Sequence, residues 1–235
     1  MAKKNKDISL SNLIKVKPIT EGQKSVFETY KQGKNQFLFG CAGTGKTFVS
    51  LYLAMQDVLS LQTKYDKVIL VRSLIPTREI GFLPGDEEDK AALYQVPYQN
   101  MVKFMFEQPN EQSFNMLYDK LKNQGSLYFL STSFLRGLTF DNSIIIVDEC
   151  QNLNFHELDT ITTRVGQDSK IIYCGDFSQT DLLKQNERNG LHDFLRILEE
   201  MQEFNCVEFN IGDIVRSGFV RNYLIQKTKL GMGME

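Results

Sequence analysis

The residues Gly40-Cys41-Ala42-Gly43-Thr44-Gly45-Lys46-Thr47 fit a glycine, four further residues, then Gly-Lys-Ser/Thr, the spacing of a loop that wraps a phosphate. Glycines at 40, 43 and 45 let successive backbone N–H groups turn inward around an anion, at the positive end of a following helix. Lys46 then suits the β- and γ-phosphates of a nucleoside triphosphate, and the Thr47 hydroxyl suits Mg²⁺. The motif needs a strand before it and a helix after it. Gln36-Phe37-Leu38-Phe39 is apolar enough for a buried strand, and 48–61 holds no Gly or Pro and reads as a helix.

A second set of chemical groups lies about a hundred residues downstream. The apolar run Ser143-Ile144-Ile145-Ile146-Val147 delivers Asp148 and Glu149 at its carboxyl end, the edge of a parallel sheet where ligands gather. Asp148 suits Mg²⁺ and Glu149 suits the orientation or deprotonation of an attacking water. Gln151 follows closely. A third set follows the strand Lys170 to Cys174, in Gly175-Asp176-Phe177-Ser178-Gln179-Thr180-Asp181. A Gln or Asp at such a strand tip can touch a γ-phosphate and report its loss. Arg164 and Arg216 are the candidates for the positive charge that phosphoryl transfer requires, although each also fits an ordinary helix-end or surface arginine.

These groups need a sheet to hold them. Further strands are read at 67–71, 127–130 and near 206–210, with helices between, so continuous apolar strands alternate with helices as in a parallel sheet covered on both faces. A short helix ends near Lys31, two helical patterns occupy 98–107 and the stretch around Phe114 to Leu121, and others follow Asn154, Gly190 and Phe219. The Pro-, Gly- and acid-rich stretch 76–97 reads as a shaped loop, and 74–124 as a helical and loop insertion after the second strand. Residues 1–17, with five lysines and little apolar content, read as a flexible basic arm ahead of one domain over 18–235. Gln23 has two readings: Thr20 and Gln23 form a capping box, and Gln23 could also bond an adenine edge.

Composition narrows the class. A chain of 235 residues with 42% hydrophobic content can bury one full α/β core. A net charge of −2 excludes a globally basic nucleic-acid binder and leaves local patches open. Four cysteines far apart, with no Cys-x-x-Cys spacing, favour reduced thiols over disulfides or zinc, and His156 and His192 stand alone. No apolar run has the length of a membrane span and no signal peptide is visible, so a cytoplasmic protein is expected, in the host cytoplasm were the chain viral.

Taken together, Gly40 to Thr47, Gly81-Phe82-Leu83-Pro84-Gly85-Asp86, Arg136-Gly137, Val147 to Gln151, Thr163-Arg164-Val165-Gly166, Gly175-Asp176 with Gln179 and Asp181-Leu182, and Asp213-Ile214-Val215-Arg216 resemble the PhoH family of phosphate-starvation-inducible ATPases, from about Pro18 to Leu224. Cys150 departs from the family's usual Ala, and residues 74–80 depart from its usual stretch before Gly81. The shortness of the chain and its basic, Asn-rich start suit a compact viral version of the family. The resemblance implies a three-layer P-loop NTPase with a mostly parallel, RecA-like sheet, similar to the first motor domain of superfamily 1 helicases. It implies ATP and Mg²⁺ as cofactors, an adenine contact from Gln23, and coupling roles for Gln151 and Gln179. Nineteen residues follow Arg216, too few for a second motor domain, so a neighbouring subunit is expected to complete the site in a ring, a hexamer being the expected size, with Arg216 or Arg164 acting in trans.

Two classes of function stay open: ATP hydrolysis driving translocation on, or remodelling of, single-stranded RNA or DNA, with Arg72, Arg78 and Arg136 as backbone contacts, or an ATP-dependent switch acting on a protein partner. A small-molecule kinase fits less well, since Asp148, Glu149 and the downstream Gln suit water activation.

Overall fold

A computed structural model describes residues 7–73, 87–132, 135, 137–177 and 190–230. Six strands form one sheet: β1 (Asn35–Gly40), β2 (Lys67–Arg72), β3 (Leu127–Ser131), β4 (Ser143–Asp148), β5 (Lys170–Gly175) and β6 (Phe204–Phe209), in the spatial order β3-β2-β4-β5-β1-β6. Every neighbouring pair is parallel. All the carboxyl ends therefore lie along one edge. The register sets Arg72 opposite Asp148 and Phe39 opposite Gly175, which brings the chemical stretches of the sequence together.

The period of two along each strand divides the core. Leu38, Val68, Leu70, Ile144, Ile146, Ile172 and Val207 face one layer, together with α1 (Glu21–Lys31), α2 (Lys46–Leu59), α3 (Glu87–Met105) and α4 (Glu111–Asn123). Phe37, Ile69, Val71, Ile145, Val147, Ile171 and Tyr173 face the other, with α5 (Phe155–Thr162) and α6 (Leu191–Glu200). Central β4 and β5 are buried at every residue, as strands covered on both faces must be. The architecture is α/β in three layers, as the sequence leads one to expect.

Local signals explain the helix starts nearest the site. Thr20 accepts the Gln23 N–H at the start of α1, and Asn154 and Glu157 close a reciprocal capping box on α5. A last helix, α7 (Gly218–Lys229), has no buried residue. No helix among the described residues is long and apolar enough to cross a membrane.

Three expectations are corrected. The basic arm is not loose from Ile8 onward: Ile8 and Leu13 are buried in the core, Ile14 N–H bonds the Met105 carbonyl at 2.9 Å, and Val16 N–H bonds the Tyr52 hydroxyl at 3.0 Å. Its sparse apolar residues are spaced to reach α2 and α3, and that outweighs the lysines. The helix expected from residue 98 begins at Glu87 and runs through Pro97, so part of the supposed loop at 76–97 is helical. The last strand begins at Phe204, two residues before Cys206.

Candidate nucleotide and metal site

The loop from Gly40 to Thr47 leaves β1 and enters α2 as its spacing demands. At Gly40 φ is +123°, and a Cβ there would lie 2.0 Å from the Phe209 carbonyl oxygen, so β1 can approach β6 only with glycine at this corner. Cys41 N–H then bonds that same carbonyl at 2.9 Å. Gly45, with φ +87°, is the residue that caps α2, and Cys41, Ala42, Gly43 and Thr44 span the turn between.

Lys46 is almost fully buried, and its ammonium is held inside the loop. Nζ donates to Cys41 O at 2.7 Å, to Gly40 O at 3.2 Å and to Thr44 Oγ1 at 3.3 Å, and pairs with Asp176 Oδ1 at 2.7 Å. Thr47 donates its hydroxyl proton to Asp148 Oδ1 at 2.6 Å. The two residues expected to share a metal are thus in contact across the sheet edge, though separated by a hundred positions in the chain. Asp148 Oδ2 accepts from the Tyr98 hydroxyl at 2.7 Å, and Arg72 is hydrogen-bonded to Tyr98 in turn.

Glu149 follows β4 with φ +53°, a left-handed backbone that costs a non-glycine residue about 1 kcal/mol and that tends to persist where a side chain must be aimed. Burial first, then the negative charges of Asp148 and Asp176, push its carboxyl above the ordinary value, against a hydrogen bond from Gln151 and the charge of Arg72. Gln151 donates to Glu149 Oε2 at 2.6 Å and accepts from the Asp176 N–H at 3.1 Å. It therefore clamps the tip of β4 to the tip of β5.

These groups surround a cavity of about 960 Å³ lined also by Val16, Lys17, Phe48, Met101, Phe104 and Arg216. Gln23 reaches the same cavity: its Oε1 accepts from Ile19 N–H at 3.0 Å and its Nε2 donates to Thr44 O at 3.0 Å, while its backbone N–H is capped by Thr20. The cap and the cavity-facing side chain coexist in one residue. Arg216 crosses its own chain's loop. Val215 N–H bonds Gly43 O at 3.0 Å, and a Cβ at Gly43 would meet Arg216 Cγ at 2.9 Å. Arg216, expected to act in a neighbour's site, thus also lines the cavity of the chain that carries it.

Arg164 is not brought to this site. It follows α5, donates to Leu138 O at 3.5 Å and Thr163 Oγ1 at 3.3 Å, and its buried Nε has no partner among the described residues. Arg72, expected on a nucleic-acid backbone, is turned inward to Tyr98 and lies over the Tyr94 ring at 5.7 Å. Gln179, Arg78, Arg136, the stretch 81–86 and residues 181–182 lie outside the described residues. Two contacts escaped the sequence. The Lys46–Asp176 pair joins residues with no shared motif, and Tyr98 lies in a segment whose pattern shows a helix but not its partner.

The donor set fits a nucleoside triphosphate with Mg²⁺. Three glycines with positive φ shape the cradle, a buried cation stands inside it, and two hard oxygen donors, Thr47 Oγ1 and Asp148 Oδ1, lie 2.6 Å apart beside it.

The chain is similar to known proteins. The chain is 31% identical over 207 residues to a PhoH-like protein of Synechocystis sp., which covers 88% of this chain and 60% of that one. It is 32% identical over 216 residues to a PhoH-like protein of Mycobacterium leprae, covering 91% and 59%. The chain thus spans about three-fifths of the length of these relatives. Among solved structures, the large terminase of a thermophilic bacteriophage superposes with a TM-score of 0.52 at 12% identity, over 90% of this chain and 50% of that one, which shows a shared fold. The pattern of the PhoH-like protein family matches residues 15–226, and the chain belongs to that family.

Proposed function

We propose that the chain binds ATP and hydrolyses it with Mg²⁺, and that turnover is coupled to binding and remodelling of single-stranded nucleic acid, RNA being the first choice. The observation that carries the reading is the convergence of Lys46, Thr47, Asp148 and Glu149 on one cavity at the carboxyl edge of a parallel sheet. Thr47 and Asp148 would hold the ion, which when bound neutralises phosphate charge. Lys46 would leave the loop carbonyls and Asp176 for the phosphates. Glu149, clamped by Gln151, would orient the attacking water and take its proton. Gln23 lies where it could read a base, and Arg216 supplies positive charge in cis.

The Gln151 clamp supports a motor rather than a simple hydrolase. It ties the water-orienting carboxylate to the backbone that leaves β5 toward Gln179, so a change at the γ-phosphate is passed to that segment. Residues 18–235 would act as one ATPase unit, with 74–124 inserted, in a homo-oligomeric ring, hexameric as first choice. Arg164, remote from its own site, is the candidate for a neighbour's. A cytoplasmic location belongs to the same reading.

A second reading, a switch acting on a protein partner, is favoured by α7. Its Leu224 packs at the loop, 3.2 Å from a Cβ at Gly43, while Phe219, Val220 and Tyr223 are 83%, 47% and 58% exposed beside it. ATP turnover with Mg²⁺, measured with and without single-stranded RNA and DNA across salt concentrations, separates the two. Stimulation that weakens with salt supports the first reading. Turnover indifferent to every polymer moves the assignment to the second. Glu149→Gln should abolish turnover, by about 100-fold or more, while ATP still binds. Because burial and the charges of Asp148 and Asp176 raise the Glu149 carboxyl, turnover should fall on acidification at a higher pH than an unperturbed glutamate would give, and full turnover by the Gln variant would refute its role.

A further inference from the structure

Asp148 is held from two sides. Its Oδ1 takes the Thr47 hydroxyl at 2.6 Å, and its Oδ2 takes the Tyr98 phenol at 2.7 Å. Tyr98 is 1% exposed, its ring leans on Phe129 at 5.7 Å, and its hydroxyl also meets Arg72, which the β2–β4 register sets opposite Asp148. A buried phenol needs a hydrogen-bond partner, and a core tyrosine can find one anywhere. Tyr173 shares its hydroxyl with Thr162, and the Tyr52 hydroxyl accepts the Val16 N–H; neither tyrosine lines the cavity, although Val16 does. Tyr98 instead lines the cavity and gives its proton to the carboxylate that would face the metal.

We propose that Tyr98 is a positioning residue for the metal site: it fixes Asp148 Oδ2 so that Oδ1 faces Thr47, and with Arg72 it makes α3 a structural part of that site. The inference rests on the reading of Asp148 as a metal carboxylate. A carboxylate held by one oxygen keeps a single orientation, whereas a free one can turn about its last bond. Such outer contacts change metal affinity by about 10-fold or more when removed.

The sequence supplies a probe, since it has nine tyrosines and no tryptophan, so emission from Tb³⁺ bound in place of Mg²⁺ is sensitised by nearby tyrosine. With the full chain and ADP, Tb³⁺ emission should appear and be competed by Mg²⁺. In Tyr98→Phe the Tb³⁺ concentration giving half-maximal emission and the Mg²⁺ concentration giving half-maximal ATP turnover should each rise about 10-fold; the midpoints, unlike the brightness, do not depend on Tyr98 as a sensitiser. Metal-free binding of a fluorescent ADP should match the wild type, which shows that the variant is folded. Asp148→Asn should lose the Tb³⁺ signal. Wild-type Mg²⁺ and Tb³⁺ midpoints in Tyr98→Phe would overturn the proposal, whatever the brightness, as would absence of emission from the wild type. A wild type that binds Tb³⁺ beside Tyr98 but does not turn over ATP would sink the hydrolase reading and leave the Tyr98 contact standing, with Mg²⁺ displacement of Tb³⁺ then replacing turnover as the measure of affinity.

Discussion

Two buried lysines stand at opposite edges of the same sheet, and their surroundings differ in kind. Lys46, at the carboxyl edge, has a carboxylate at 2.7 Å, two loop carbonyls and a hydroxyl. Lys170, at the amino edge where β5 begins, lies 3.7 Å from the centre of the Tyr30 ring and donates to Tyr30 O at 3.3 Å. Lys46 is held by polar groups that a phosphate can replace, since each competes for one ammonium that can swing. Lys170 is held by the Tyr30 ring and the Tyr30 carbonyl of α1, which no ligand can displace without opening the core. A buried charge is expensive in either place, and what surrounds it tells a working cation from a packed one.

Exchange of the two tests this most severely. Lys46→Ala should lower ATP turnover by about 100-fold or more, since the cation proposed for the β- and γ-phosphates is lost. Lys170→Met, of similar length, should leave turnover within about a factor of two. Turnover is measured at saturating Mg²⁺ on both folded variants. Comparable losses in the two would erase the distinction between the edges.

The next effect is smaller and has the opposite sign. Asp176 holds Lys46 against the loop and places negative charge where phosphates would enter, so both of its effects oppose nucleotide binding. Asp176→Asn should therefore tighten ATP and ADP binding by about 10-fold, read by titration of a fluorescent nucleotide. Weaker binding would show that Asp176 serves the bound nucleotide and does not hold its site closed.

How much of this contrast the sequence displays depends on whether a contact is local. The loop at Gly40 to Thr47 is legible because phosphate wrapping needs glycine at fixed positions within one turn. Asp148 and Glu149 are legible because an apolar run of parallel-strand length ends on them. The alternation that buries Ile144 and Ile146 on one face, and Ile145 and Val147 on the other, is equally a property of neighbouring residues. Tyr98 touching Asp148 and Asp176 touching Lys46 are contacts between strand ends and helices far apart in the chain, settled by sheet order and register, which periodicity does not encode. The start of α3 was hidden for another reason. Pro97 reads as a break because it removes one helical hydrogen bond, yet the helix passes through it. The docking of residues 8–16 was masked by lysines, which leave Ile8 and Leu13 free to turn inward.

The smallest expected effect concerns stability at the amino edge. Burial is the main cause that lowers the Lys170 pKa to about 8, with the charge of Asp57 opposing it. An unfolded lysine titrates near 10.4, so between the two values the unfolded chain binds more protons than the folded one, and stability must rise with pH across that window. Below about 8 both states are protonated and the disadvantage of the buried charge is constant; above 10.4 both are neutral and it is gone. The slope is at most one proton, about 1 kcal/mol per pH unit within the window. Urea unfolding of the wild type at pH 7.5, 8.5 and 9.5 should show this rise against the background of other titrating groups, and Lys170→Met should remove it while raising stability at pH 7.5. Identical pH profiles for the two proteins would mean that the Tyr30 ring and carbonyl stabilise the Lys170 ammonium as well as water does.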